Sequence, residues 1–367
     1  MTSPPKKADH TIILIDDLPS YRRVALLCDG VLDQFWIDDA RNPLPQPGAV
    51  FAARVAQIFA DHDRATFELV GSPAPPDTRP QSHMASARIT ADQAKSLKSG
   101  QIIPVVVSAL PREGKPLQVK IKGDVSPKDL PPQPQLIHPA LDALALAKAA
   151  APDAEVISDD TGERWAQYGC DEALEQACKA IMPMPNGAVV HINTPPGAAV
   201  IDLDSAASTL SPFDLSCQLL PVVMRQIRLR RMAGPIVIDF PRLTPEQQRK
   251  LHDMIKAEAK YDPEKPSLHG FTRGGLYTMA RPWRRNILSQ ELTVDAAASG
   301  RAALRLIRRH RHLNIQGGIT ISIHEKGLNW LRADGAEALK AITADLAFSP
   351  QFRSDNAVQT AVVEENA

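Results

Sequence analysis

The chain has 367 residues, of which 44% are hydrophobic and 23% charged, and its 42 basic side chains balance its 42 acidic ones. These values are typical of a globular protein with a sizeable core and room for two or three domains. They exclude a global electrostatic argument for nucleic-acid binding, although a neutral total can still include a basic face.

The N-terminal third predicts a strand-rich region. Residues 1–10 show no regular pattern and are expected to form a tail, and three strands are expected within 11–47. Five short strand-like runs between 48 and 125, interrupted by a proline-rich insertion, favour a small barrel of the OB type, a fold that binds oligonucleotides. Sandwich fragments and SH3-like barrels give similar patterns, so the pattern alone leaves these alternatives open.

Helices and strands alternate in the rest of the chain. Residues 126–150 predict a proline-rich linker followed by a helix, and 151–292 predict an α/β domain. Within that domain we expect helices at 171–182, 212–232 and 244–260, and strands at 188–193, 198–203, 235–240 and 275–280. A small C-terminal domain is expected at 293–348, with helices 295–312 and 334–347 around strand 319–323, and a tail at 349–367.

Two hydrophobic runs in the α/β domain each end in an aspartate. Asp202 lies at the end of one predicted strand and Asp239 at the end of the next, with helix 212–232 between them. If the strands are parallel neighbours, the two carboxylates lie side by side at the edge where α/β sheets hold their sites. Asp204 shares a side with Asp202 by the two-residue period of a strand. Close carboxylates need a cation, which favours a divalent metal. The alternative is that each aspartate caps a loop or pairs with an arginine.

Basic and aromatic side chains are candidates for contacts with an anionic, single-stranded ligand. Guanidinium groups match phosphate geometry, and aromatic rings stack on bases. The candidates in this class are Arg225, Arg228 and Arg230 at a helix end, and Phe59 and Phe67 in the barrel. The structural alternatives are a solvated helix face for the arginines and a core position for at least one phenylalanine.

The sequence lacks most motifs that would indicate secretion, a membrane span or a bound nucleotide cofactor. The four cysteines form no C-x-x-C motif, which favours a reducing compartment. The N-terminus lacks a secretory h-region, and no apolar run approaches the roughly 18 residues that span a bilayer. We therefore expect a cytoplasmic protein without a membrane partner. No P-loop, G-x-G-x-x-G after a strand, G-x-S-x-G or zinc-ligand spacing is present.

Three segments in the α/β domain together resemble the ribonuclease E/G family. They are Ala199-Val-Ile-Asp-Leu-Asp-Ser205, Arg225-Gln-Ile-Arg-Leu-Arg230 and Gly234-Pro-Ile-Val-Ile-Asp-Phe240. The family shows a V-I-D-x-N strand, an R-Q-L-R-L-R helix end and a G-x-I-x-I-D-F strand in the same order. Weaker similarity extends over about 11–348.

The resemblance implies a mixed α/β and α+β fold and an activity. An RNase H-like layer would include 11–47, with an inserted OB-type (S1) barrel at 48–125, a DNase I-like catalytic domain at 151–292 and a small C-terminal α/β domain. The implied activity is Mg²⁺-dependent endonucleolytic hydrolysis of single-stranded RNA in rRNA or mRNA processing or decay, with Mn²⁺ as an alternative ion. The alternative function is that of a non-catalytic RNA-binding relative.

The resemblance also implies roles for particular residues. Asp202 and Asp239 fall on the family's metal ligands, and Asp204 replaces its asparagine as a third candidate catalytic residue. Arg281 and Arg54 become further candidates for RNA contacts. The family's 5′-monophosphate sensor and its C-P-x-C zinc link have no counterpart here. We therefore expect little dependence on 5′ phosphorylation and no oligomerisation through a zinc link.

Overall fold

The computed structural model describes residues 8–42, 44–71, 82–112, 114–123, 130–195, 197–293, 295–312, 318–344, 346, 349–358 and 360–363. The chain forms two compact units. The main unit comprises residues 1–38, 146–281 and 287–367, and the barrel unit comprises 39–145 and 282–286. Residues 124–129 of the predicted linker and most of the N-terminal tail lie outside the described residues.

The strands, in chain order, are β1 Thr11–Leu18, β2 Tyr21–Cys28, β3 Val31–Asp39, β4 Val50–Phe59, β5 Arg64–Val70, β6 Ser82–Arg88, β7 Ile102–Ala109, β8 Leu117–Ile121, β9 Gln135–His138, β10 Glu155–Ser158, β11 Ile181–Pro183, β12 Val189–Asn193, β13 Ala199–Asp204, β14 Gly234–Asp239, β15 Ser267–Phe271, β16 Tyr277–Arg281, β17 Thr320–Ile323, β18 Gln351–Ser354 and β19 Ala361–Val363. The helices are α1 Ala91–Ser96, α2 Ala143–Ala150, α3 Glu163–Gln167, α4 Cys170–Cys178, α5 Pro212–Leu229, α6 Pro245–Ala259, α7 Leu288–Glu291, α8 Ala296–His312, α9 Glu325–Arg332 and α10 Ala336–Thr343.

The barrel unit is built on a closed five-stranded barrel. Its sheet has the order β5-β6-β8-β7-β4-β9, and an additional β5–β4 pairing closes the ring. Inward-facing side chains such as Phe51, Val55 and Phe67 fill the interior. A closed barrel at this place in the chain was predicted and is confirmed. Strand β9, which pairs with β4, lies where the sequence predicted only a linker.

The main unit contains three separate sheets. Their strand orders are β10-β1-β2-β3, β11-β12-β13-β14-β16-β15 and β18-β17-β19. The predicted tail at 349–367 is wrong for the residues that the structure describes there, because β18 and β19 flank β17 and extend the C-terminal sheet; residues 359 and 364–367 lie outside the described residues. The predicted helix 334–347 is shorter in the structure, where α10 runs from Ala336 to Thr343. Helix α9, which precedes it, was not predicted.

The six-stranded sheet of the main unit has helices packed on one face. Strands β13 and β14 are parallel and are joined by α5, which makes a strand–helix–strand crossover. Inward-facing Ile201 and Ile238 pack with Leu219 of α5 and Leu251 of α6 in one core cluster. Along β13 buried and exposed residues alternate strictly, so the opposite face stays open. Helix α6 begins with a capping box formed by Thr244 and Gln247.

A buried ion cluster links the first sheet to helix α8. The Asp16 carboxylate on β1 is fully buried and accepts hydrogen bonds from Arg23, Arg305 and Arg308. Burial alone would raise the pKa of Asp16, but Arg305, Arg23 and Arg308 hold it well below its ordinary value. The arginines of α8 therefore anchor the C-terminal part of the main unit. Among the described residues, none of the helices is apolar and long enough to cross a bilayer.

Candidate active site on the open sheet face

The two strand-end aspartates are direct neighbours. Asp202 is the register partner of Asp239 in the parallel β13–β14 pair, so both side chains project from the same, open face of the sheet. Adjacent strands lie about 4.8 Å apart, which sets the spacing of the two Cα atoms. Both residues are exposed. The sequence-based expectation that these carboxylates lie side by side is confirmed, whereas their role as metal ligands stays a prediction.

Among the described residues, no basic side chain pairs with these two acids. Neither the Asp202 carboxylate nor the Asp239 carboxylate forms a hydrogen bond or an ion pair there. Like charges directly opposite one another in a sheet are destabilising. An uncompensated pair of this kind therefore attracts a cation from solution, and carboxylate oxygens are the ligands that Mg²⁺ and Mn²⁺ prefer.

Asp204 lies on the same face but has a different function in the structure. Its register partner is Val189, and its Oδ1 accepts a hydrogen bond from the Ala206 backbone N–H at 2.9 Å. The carboxylate thus stabilises the turn that follows β13. Among the described residues, no group of three or more His, Cys, Asp or Glu side chains is placed to hold a metal. The geometry fits a site with two carboxylates, which suits Mg²⁺ because this ion keeps several of its waters.

A histidine that the sequence analysis did not select lies beside the pair. His191 on β12 is the antiparallel register partner of Asp202, and it is half-buried. The open face therefore carries a row formed by His191, Asp202 and Asp239. A signal for it was available, because the short connection between the predicted strands 188–193 and 198–203 favours a hairpin that brings these positions together.

Arg228 and Arg230 do not lie on an accessible surface, as the prediction that they contact RNA requires. Arg228 is buried, and its Nε and Nη2 both donate to the carboxylate of Asp33 on β3. Arg230 is buried as well, and its Nε donates to Gln226 Oε1 at 2.8 Å. Both lie on the helix whose apolar side covers the face of the sheet opposite the acidic pair. The guanidinium groups therefore hold α5 in place, and neither the RNA-contact nor the solvated-face interpretation describes them.

Arg281 is likewise an internal residue. Its register partner is Gly234, at the opposite end of β14 from Asp239 and thus about 16 Å from it along the strand. Its Nε and Nη2 donate to the buried Asp262 carboxylate at 2.7 and 3.0 Å. Its Nη1 donates to the backbone oxygen of Met232 at 3.1 Å. The prediction that Arg281 contacts RNA beside the aspartates is therefore not supported.

Arg225 differs from its neighbours in α5. It is half-buried, and in the described part of the chain its guanidinium forms neither a hydrogen bond nor an ion pair. Burial lowers the pKa of this guanidinium, and the Asp33 carboxylate opposes the shift. That Arg225 contacts RNA therefore stays a prediction.

The candidate RNA contacts in the barrel also include both internal and accessible residues. Phe67 is fully buried in the barrel core and cannot stack on a base, which corrects that prediction. Arg54 is exposed but pairs with Glu68 at 3.4 Å. Phe59 is half-buried at the end of β4, and its register partner is the exposed Arg64. Arg64 in turn partners the exposed Arg88 on β6. The row of Phe59, Arg64 and Arg88 is therefore the more accessible basic and aromatic surface, and the sequence analysis missed its two arginines.

Fold and site together define a mixed α/β protein that has a closed five-stranded barrel and a pair of uncompensated carboxylates at the ends of parallel strands. Residues 140–284, which include both aspartates, match the model of the Ribonuclease E/G family. For that segment, the match confirms the resemblance to the family that the sequence motifs indicated.

Individual relatives align over the same part of the chain. Ribonuclease E of Escherichia coli (strain K12) is 28% identical over 130 residues, which are 33% of this chain and 12% of that protein. Ribonuclease E of Haemophilus influenzae is 27% identical over 124 residues, 32% of this chain and 13% of the relative. Ribonuclease G of Salmonella typhimurium is 26% identical over 135 residues, 34% of this chain and 27% of the relative. The aligned region thus spans only a small share of each relative's length.

Proposed function

We propose that the protein is an endoribonuclease that hydrolyses phosphodiester bonds of single-stranded RNA, with Asp202 and Asp239 as ligands of Mg²⁺ or Mn²⁺. The observation that carries this proposal is the in-register pairing of two exposed carboxylates without a cationic partner. The family match over the same residues supports it. Processing or decay of rRNA or mRNA in the cytoplasm is part of the proposal.

The protein's own contribution is to position the charges. Asp202 is held between β12 and β14, and Asp239 lies at the last paired position of β14, so both carboxylates stand on rigid strands. A divalent cation bound there supplies positive charge for the phosphate oxygens and activates water. The half-buried His191 offers a further polar group at the same row. The open sheet face leaves room for an extended strand of RNA.

Binding of the single strand would use the barrel unit. The row of Phe59, Arg64 and Arg88 combines an aromatic face with two guanidinium groups, which is the combination that grips single strands without strong sequence preference. Two arginines directly opposite one another repel, and a phosphate between them removes that repulsion. These residues replace Phe67 and Arg54 as the expected contacts in the barrel.

A cleavage assay tests the proposal. End-labelled single-stranded RNA should give discrete fragments with Mg²⁺ and none with EDTA. Asp202→Asn and Asp239→Asn should each lower the cleavage rate by more than about 100-fold, because the charge stabilisation lost amounts to several kcal/mol. Asp204→Asn is the matched control, since an asparagine oxygen can still accept from Ala206, and it should remain active.

Three outcomes contradict the proposal of a metal-dependent nuclease. Cleavage that persists in EDTA, or in both Asp202→Asn and Asp239→Asn, removes the acidic pair from the reaction. RNA binding without cleavage under all conditions would identify the chain as a non-catalytic relative.

A further inference from the structure

A small cavity in the main unit is lined by residues other than His191, Asp202 and Asp239. It has a volume of about 150 Å³ and none of its lining residues is acidic. Helix α4, strand β12, the end of α5 and the start of α7 contribute to it. Its lining includes the side chains of Cys178, Asn193, Thr194, Arg230 and Ser289.

Arg230 brings an uncompensated positive charge to this cavity. Only 6% of the residue is exposed. Its guanidinium donates to Gln226 Oε1 and to the backbone oxygens of Lys179 and Gln176, all of which are neutral acceptors. Buried charges are normally paired. Arg228 on α5, for example, pairs with Asp33 on β3. Burial lowers the pKa of Arg230 only to about 10, so the group remains charged at neutral pH.

We propose that this cavity binds a small oxyanion of the phosphate class, either inorganic phosphate or the terminal phosphate of a phosphomonoester. The guanidinium provides the charge that a phosphate requires, and two of its five N–H groups remain beyond the three bonds to Gln226, Lys179 and Gln176. Asn193, Thr194 and Ser289 add neutral groups able to donate hydrogen bonds. The volume lies below the roughly 300 Å³ at which pockets begin to enclose drug-sized ligands, so the cavity is too small for a whole nucleotide.

Cys178 provides a built-in reporter of occupancy. It lines the cavity and is exposed, whereas Cys170 and Cys217 are buried and Cys28 is half-buried. A bound anion blocks access to the thiol and also disfavours the reactive thiolate. Alkylation of Cys178 by iodoacetamide, measured by peptide mass spectrometry, should slow about ten-fold when inorganic phosphate is present at ten times its Kd. Potassium chloride at the same ionic strength should have no such effect.

Two variants connect the protection to the cavity. Arg230→Gln removes the charge, but it also alters contacts that hold α4 to α5. Asn193→Asp leaves those contacts intact and adds a carboxylate to the lining, so it should abolish protection by phosphate. Asn329→Asp on α9, outside the lining, makes the same charge change and should retain protection. Equal slowing by phosphate and by potassium chloride, or full protection in Asn193→Asp, would overturn the proposal.

A pair of dinucleotides separates the two sources of the ligand. Protection by a 5′-phosphorylated dinucleotide but not by its 5′-hydroxyl form assigns the site to phosphomonoester ends. Protection by inorganic phosphate alone assigns it to the free ion. Protection by the hydroxyl form to the same degree contradicts a site for terminal or free phosphate.

Discussion

Asparagine in place of either member of the acidic pair should raise the free energy of unfolding of the metal-free protein. Asp202 and Asp239 are register partners on adjacent strands, so their carboxylates lie roughly 5 Å apart. Two unit charges at that distance repel by about 0.8 kcal/mol at the dielectric constant of water and by about 3 kcal/mol at an effective value of 20. Because both side chains are exposed, the lower value applies, and we expect a gain of about 0.5–1 kcal/mol.

The same substitutions should remove the stabilisation by Mg²⁺. For a Kd of about 1 mM, Mg²⁺ at about 10 mM adds ~1.4 kcal/mol to the wild-type protein and nothing at this site to either variant. Urea unfolding followed by circular dichroism, in EDTA and in Mg²⁺ at constant ionic strength, measures both effects. Asp204→Asn, whose register partner is Val189, should keep the full Mg²⁺ response. A wild type that is more stable than both pair variants in EDTA, with an equal Mg²⁺ response in all, would refute the reasoning.

Other parts of the main unit allow further tests. Arg228→Leu leaves the buried Asp33 carboxylate unpaired and should cost about 3–5 kcal/mol in urea unfolding; a cost under about 1 kcal/mol would argue against a structural ion pair. Burial opposes the charged form of Asp16, but three arginines hold its pKa below the unfolded value of about 3.9, so its stabilisation is present above that pH and is lost as the pH falls further. Asp16→Asn should accordingly flatten the acid side of the stability profile, and an unchanged acid side would show that Asp16 is not the group responsible. Gly300→Ala places a Cβ 2.2 Å from the Trp330 ring and should lower stability by about 1–3 kcal/mol, measured as a fall in Tm; an unchanged Tm would contradict this packing.

The sequence was sufficient to predict the arrangement of the acidic pair. Two apolar runs of strand length, each ending in an aspartate and joined by one amphipathic helix, admit few topologies other than a parallel crossover. The capping box of Thr244 and Gln247 at the start of α6 likewise depends only on residues close together in the chain. Features that depend on neighbours in the chain were therefore accessible without a structure.

The roles of residues whose partners lie far away in the chain could not be predicted from the sequence. Nothing near Arg228 indicates that Asp33, 195 positions away, supplies its counter-charge. Strands β18 and β19 have only four and three residues, too short to be recognised as strands until the two edges of β17 provide their hydrogen-bonding partners. Phe67 is a different case, because its two-residue alternation with Ala65 and Leu69 already places it inside the barrel.

Binding of Mn²⁺ is the most direct test of whether the acidic pair holds a divalent cation. Electron paramagnetic resonance of free Mn²⁺, titrated with protein, counts bound ions independently of catalysis. Wild type and Asp204→Asn should bind Mn²⁺ at this site, and Asp202→Asn and Asp239→Asn should each lose that binding. Equal Mn²⁺ binding by all four proteins, or none by the wild type, would contradict the proposed metal site.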